Sequence, residues 1–302
     1  MPSPTLPKGK TIRDPGELAQ SFEQLGYITD PALATAVYLA VSMGKPLLLE
    51  GHAGLGKTEI AKTLAAFLGT RLIRLQCYEG LDINSAVYEW NYQKQLLAIK
   101  IEERTGLSVE EKEKHIFSRD FLMERPLLQA IQEKEASPVL LIDEVDRADE
   151  AFEAFLLELL SDFQISIPEL GTVKAKHPPL VILTSNRSRE LGDALKRRCL
   201  YHWIEYPSME KEMKIVAARL PGIAKEFEKQ IVAFVQAVRR LNLMKAPGIA
   251  ETLDWAQALM ALGRTGLDAE SVEDTLGCLS KSKEDSARIK AAGIEKMLTE
   301  VG

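Results

Sequence analysis

The sequence predicts an α/β domain with a largely parallel sheet covered by helices on both faces, followed by a smaller all-α domain. Three observations lead there. Short apolar runs alternate with helical stretches through the first two thirds of the chain, the pattern of strands buried under helices. A glycine-rich loop separates the first such run from the helix after it. From about residue 209 apolar residues recur at helical spacing and no β-rich run returns.

The elements follow in order. The Pro-rich start, residues 1–10, reads as part of a loose tail ending near residue 14. Residues 16–25 and 31–42 carry helical patterns. Residues 46–50 are a short apolar strand, and residues 57–68 place Ile60, Leu64, Phe67 and Leu68 on one helical face, with Gly69 as the stop. Further β-like runs are residues 71–77, 139–143, 164–168, 181–185 and 200–206. Phe227, Ile231, Phe234, Val235, Val238 and Leu241 open a helical bundle. A boundary near Pro207 divides an α/β core, residues 15–207, from a helical domain, residues 208–302. The charged segment 102–114 is expected to be exposed, as a solvated helix or loop.

Composition excludes several classes. A hydrophobic fraction of 46% and a charged fraction of 27% are ordinary globular values. No stretch approaches the roughly 18 apolar residues of a membrane span, and the start lacks the apolar core of a secretory signal, so a cytoplasmic protein is expected. Cys77, Cys199 and Cys278 are scattered without CxxC spacing, which fits buried thiols better than disulfides or zinc. The net charge of -6, with cations interspersed among acids, weighs against nucleic acid as the partner.

Two patterns carry chemistry. Gly51, His52, Ala53, Gly54, Leu55, Gly56, Lys57 and Thr58 fit GxxxxGK[ST], followed by Glu59. In that pattern glycines let backbone N–H groups wrap phosphates, lysine reaches the β and γ groups and the hydroxyl meets magnesium, and the positive end of the following helix adds its attraction. The loop is therefore expected to hold ATP, with Thr58 and Asp143 toward Mg2+. Residues 139–143 form an apolar strand ending in Asp143 and Glu144, at the strand end where α/β sheets place ligands. Asp143 is expected to hold a magnesium-bound water and Glu144 to align or deprotonate the attacking water. Residues 181–185 end in Asn186, which on a neighbouring strand would hold that water from the other side.

Together these residues resemble the AAA+ superfamily, with Lys57 and Thr58 in Walker A, Asp143 and Glu144 in Walker B, and Asn186 as sensor 1. The fold then implied is a P-loop NTPase αβα core with a helical lid. The run DEVDRA at residues 143–148, the helix at 152–160, the apparent hairpin from 164 to about 176 and the Asn186 strand are similar to the MoxR family. LQCYEGLD (75–82), EWNYQKQLL (89–97), LKRRCLYHW (195–203) and PGIAETLDW (247–255) look like its CoxD-type branch. The resemblance covers roughly residues 30–262. It implies a homo-oligomeric ring, usually a hexamer, in which Arg198 completes a neighbour's site as an arginine finger, with Arg197 in reserve. It also implies a helix-2 insert over about residues 82–119, with Trp90 and Tyr92 in its aromatic part, and it sets Tyr27 and Ile28 against adenine or in plain core packing. One departure stands out: many relatives carry a sensor 2 arginine near Gly248 or Ile249, and this chain has none there. Arg239, Arg240 and Lys245 are the nearby cations, each equally readable as a surface charge.

The resemblance implies ATP-driven remodelling of a client metalloenzyme with a von Willebrand factor A domain partner. A nucleic-acid motor on the same core and a nucleotide-switched scaffold with negligible turnover are the alternatives. The acidic balance disfavours the first, and intact Glu144 and Arg198 disfavour the second.

Overall fold

The computed structural model describes residues 4–102 and 108–301. In chain order the elements are α1 (Pro15–Gln24), α2 (Pro31–Met43), β1 (Leu47–Gly51), α3 (Lys57–Leu68), β2 (Leu72–Gln76), α4 (Ile83–Ala86), β3 (Tyr88–Trp90), α5 (Tyr92–Glu102), α6 (Val109–Ile116), β4 (Leu122–Glu124), α7 (Pro126–Ile131) and β5 (Val139–Asp143). There follow α8 (Glu150–Asp162), β6 (Gln164–Ile167), β7 (Gly171–Lys174), β8 (Leu180–Ser185), α9 (Asp193–Arg198), β9 (Leu200–Ile204), α10 (Met209–Arg219), α11 (Lys225–Arg239), α12 (Ile249–Ala261), α13 (Ala269–Leu279), α14 (Lys283–Ala292) and α15 (Ile294–Val301). No helix among the described residues is long and apolar enough to cross a membrane.

The expected sheet has five strands in the order β2-β5-β8-β1-β9, and β2–β5, β5–β8 and β8–β1 pair in parallel. Every residue of β1, β5 and β8 is buried, because helices cover a sheet whose connections are crossovers, and their near-continuous Leu, Ile and Val content suits that place. Strand β2 differs. It lies at the edge and alternates, with Ile73 and Leu75 buried while Arg74 is exposed, so Arg74 and Gln76 share one face.

The chain divides into two compact units. The first takes the chain up to Leu18, Pro31–Glu50 and Ala61–His202, with a core in which Leu48, Ile73, Leu140, Ile142, Leu156 and Leu183 pack together. Its tail residue Thr5 donates its N–H to Ser137 Oγ and accepts the Ser137 N–H. The expected hairpin is β6 with β7, antiparallel with Gln164 opposite Lys174. A second small pair, β3 with β4, was not expected from the sequence. Of the charged segment, residues 103–107 lie outside the described residues, and from Ser108 it forms α6 with a capping box between Ser108 and Glu111. Helix α5 is inverted in polarity: Gln95 is buried and donates to the Ile116 carbonyl, while Tyr92, Leu96, Leu97, Ile99 and Ile101 are exposed.

The second unit comprises Ala19–Asp30, Gly51–Ile60 and the chain from Trp203 onward. Its helices enclose Phe227, Ile231, Phe234, Trp255, Leu259, Leu276 and Ile289. Trp255 is fully buried, and its indole N–H donates to Thr275 Oγ1 at 2.7 Å, so the ring is buried with its one donor satisfied.

Candidate functional site

Within the second unit, the loop from Gly51 bends at Gly54 (φ +76°) and Gly56 (φ +80°), the left-handed region where side chains are strained. A Cβ at Gly54 would also lie 2.7 Å from Glu251 Oε2. Lys57 is buried, and its ammonium donates to the carbonyls of Gly51 at 2.7 Å and His52 at 2.6 Å, so the loop curls around its own lysine. Leu55 is buried, while His52 and Ala53 are exposed. The His52 ring stacks on Tyr206 with centroids 5.1 Å apart and meets Trp203 edge-on at 5.9 Å. Glu59 pairs with Arg219 of α10 at 2.9 Å. Tyr27 lies beside the loop, 3.8 Å from a Cβ placed on Gly56; burial, then Asp30 and Glu59, push its hydroxyl well above the ordinary phenol value.

The amino end of α12 also rests on this loop. Ala250 donates its N–H to the Gly54 carbonyl at 3.0 Å, and a Cβ on Gly248 would come within 2.9 Å of the Ala53 and Gly54 carbonyl oxygens. Glycine at 248 is therefore what the contact requires, which gives the missing arginine there a steric reason. Glu251 turns back to accept the Gly248 N–H at 2.9 Å. Arg239 is committed elsewhere. It forks onto Glu212 at 2.5 and 2.7 Å, donates to the Pro247 carbonyl at 2.7 Å and lies over the Tyr206 ring. Arg240 donates to the Gln236 carbonyl, and the backbone N–H of Lys245 donates to Asp285.

The first unit holds the acids. Asp143 ends β5 with its side chain only 4% exposed; Oδ1 accepts from Thr184 Oγ1 at 2.5 Å, and Oδ2 accepts from Arg74 Nε at 3.0 Å and Nη2 at 2.6 Å. Glu144 follows at φ +54°, ψ +48°, a left-handed conformation that costs a non-glycine residue about 1–2 kcal/mol. Its N–H donates to Thr184 Oγ1 at 2.9 Å. Its carboxylate accepts from Asn186 Nδ2 at 3.3 Å and Gln76 Nε2 at 3.1 Å, and pairs with Arg147 at 2.8 Å. Asp146 accepts the Asn186 N–H, the Ser188 N–H and the Ser188 hydroxyl. Burial raises the Asp146 carboxyl, but those Ser188 and Asn186 hydrogen bonds outweigh it and hold the group below the usual carboxylate range. Cys77 is pushed up to about 12 by burial, then by Asp143, Asp146 and Glu144, so it stays a thiol.

The predicted residues Asp143, Glu144 and Asn186 are thus brought together, on β5 and just past β8, which are adjacent strands. Arg198 stands apart at the end of α9, donating from Nε to Ser161 Oγ at 2.7 Å and from Nη1 to the Ala194 carbonyl at 3.1 Å, while Arg197 is exposed. Sequence reasoning missed Arg74, Gln76 and Thr184. The alternation of β2 was the signal for the first two, since it puts both polar side chains on one face of a strand that ends beside the acids.

A family model described as the AAA domain of the dynein-related subfamily matches residues 46–199, just over half of the chain. No curated protein matches the chain. Among solved structures, it aligns with Thermotoga maritima RuvB, described as a Holliday junction branch migration motor, at 18% identity, covering 90% of this chain and 72% of that one, with a TM-score of 0.47. A proline-to-glycine mutant of that protein aligns at 17% identity over 91% and 73% of the two chains, TM-score 0.49. An alanine-to-serine mutant aligns at 19% over 81% and 66%, TM-score 0.47, so against that structure the chain spans just under two thirds of its length. With the glycine-rich loop, both acids, Asn186 and Arg198 all inside the matched residues, the chain belongs to the AAA domain family of the dynein-related subfamily.

Proposed function

We propose that the chain is a magnesium-dependent ATPase of the MoxR family, in its CoxD-type branch, that assembles into a ring, usually hexameric, and remodels a protein. The observation that carries this reading is Glu144, left-handed, its carboxylate gripped by Asn186 and Gln76, one residue after buried Asp143. Both acids stand at the carboxyl edge of the parallel sheet whose strand β1 leads into residues 51–58. Residues 15–207 form the nucleotide-binding core in this reading and 208–302 its lid.

The residues fit magnesium. It takes hard oxygen donors and completes its shell from phosphates and water, and the Asp143 carboxylate and the Thr58 hydroxyl are each a donor of that kind. Among the described residues no group of three or more His, Cys, Asp and Glu could hold a metal. Asp143 already carries the cationic fork of Arg74, which marks it as an oxygen that attracts positive charge. Bound magnesium would neutralise charge on the phosphates. The glycine loop wraps the phosphates with backbone N–H groups, and Lys57 exchanges its carbonyl partners for them. Glu144 takes the proton of the attacking water, held in aim by Asn186. Arg198 acts on the phosphates of a neighbouring subunit.

The reading extends to a cytoplasmic protein working with a von Willebrand factor A domain partner on a client metalloenzyme. Nucleotide binding and steady-state phosphate release test it. Lys57→Ala is expected to abolish binding, whereas Glu144→Gln keeps binding and stops turnover, because cradle and base are separate parts. Equal loss of binding in both variants, or background phosphate release by the native protein with and without partner, overturns it. Stimulation by DNA or RNA with none by protein would move the reading to a nucleic-acid motor.

A further inference from the structure

From the ion pair at the sheet edge we infer that Arg74 is a positioning residue: it holds the charge of Asp143 until magnesium arrives and then yields it, setting the magnesium dependence of nucleotide binding. The inference rests on the proposed ATPase reading and deepens it.

Three acids, Asp143, Glu144 and Asp146, stand within four residues, and Asp143 and Asp146 are 3% and 2% exposed. A buried carboxylate needs both hydrogen bonds and opposing charge. Arg74 supplies charge to Asp143 in a particular way: Nε and Nη2 converge on the single oxygen Oδ2, while Oδ1 is taken by the Thr184 hydroxyl. The two partners differ in freedom. Asp143 is fixed in a strand buried along its whole length, but the Arg74 side chain is 50% exposed on the open face of edge strand β2. Arginine keeps its charge at any working pH, and its long stem lets the head leave for water without moving the backbone. The fork is therefore displaceable from one side only. A dication competing for Oδ2 expels Arg74, and Asp143 stays where it is.

The same guanidinium reaches the second acid. Arg74 Nη2 also donates to Gln76 Oε1 at 2.5 Å, and Gln76 Nε2 donates to Glu144 Oε2 at 3.1 Å. Departure of Arg74 from Asp143 removes the donor on the Gln76 amide oxygen, leaving its Nε2 on Glu144 and on the Cys77 carbonyl at 3.4 Å. Occupancy of Asp143 is thereby passed through two side chains of β2 to the residue that handles the water.

The test titrates magnesium chloride into the full-length protein with a fluorescent ATP analogue at fixed concentration, and reads half-saturation by free magnesium. Arg74→Met removes the competitor, so half-saturation should fall about tenfold, the factor matching about 1.4 kcal/mol for a partly exposed charged hydrogen bond. Arg74→Lys, which keeps a cation without the fork, should lie between Met and the native protein. The melting temperature read with magnesium alone should rise more in Arg74→Met than in the native protein. An unchanged or higher half-saturation in Arg74→Met overturns the inference, as does Arg74→Lys behaving like Met. If Arg74→Met does not fold, Arg74→Gln carries the test: a fall of at least about threefold supports the inference and no fall overturns it. Native protein that binds no nucleotide at any magnesium concentration would instead strike the ATPase reading itself.

Discussion

The chemistry-bearing side chains are fixed by partners far away in sequence, and this decides what each substitution does. Asp146 is the clearest case, because three donors from the Asn186–Ser188 turn converge on a buried carboxylate. A carboxyl whose folded value lies below its unfolded one, about 3.9, stabilises the fold above that pH, and the contribution is lost as pH falls through the lowered value. Ser188→Ala removes one donor and raises the folded value. Acid unfolding followed by circular dichroism should then begin at higher pH in the variant, and chemical denaturation should show the stability gap in full at neutrality and closing only below the lowered value; coincident acid limbs would mean that the hydroxyl does not set the carboxyl. At this scale the sequence was legible where one short stretch carries the pattern, as in residues 51–58 and 139–144. It was silent on Arg74 and Thr184, whose contacts to Asp143 span 69 and 41 residues and arise only from strand register.

Elements were legible where their period is strong. The buried strands declared themselves as apolar runs, and α8 as an amphipathic stretch whose Asp149 accepts the Phe152 N–H at 2.8 Å. Asp149→Ala should lower stability by about 1 kcal/mol in chemical denaturation without altering the helix register. The β3–β4 pair escaped notice, because three-residue strands more than thirty residues apart leave no periodicity to read. Helix α12 shows how an element end serves the loop: its Gly248 has an ordinary negative φ, so the demand for glycine is steric alone. Gly248→Ala should force the loop or the helix to shift by several tenths of an ångström, costing about 1–3 kcal/mol. A weaker nucleotide affinity with unchanged helical content is the expected result, checked by titrating the fluorescent analogue; native affinity would show that the contact gives way freely.

For the whole molecule, two features carry opposite consequences for stability. The pair of Arg239 and Glu212 is buried on both sides, at 7% and 0% side-chain exposure. Arg239→Leu alone strands a buried carboxylate and should cost about 3–5 kcal/mol, whereas Arg239→Leu with Glu212→Leu should recover much of the loss, which thermal melts of the native protein, each single variant and the double variant decide. Assembly has its own test: in the proposed ring, Arg198→Ala and Glu144→Gln subunits are each inactive, and mixing them should restore some phosphate release through interfaces that join an intact finger to an intact base. No recovery at any ratio would remove Arg198 from the trans role. The left-handed backbone at Glu144 adds a different expectation. Glutamate is a poor tenant for that conformation, and asparagine or glycine would relieve strain of about 1 kcal/mol while thinning a crowd of acids. Glu144→Asn should accordingly melt at a higher temperature than the native chain and hydrolyse nothing. Screening for thermostability alone would thus drift toward dead protein at this position, since durability and turnover make opposite demands on one residue.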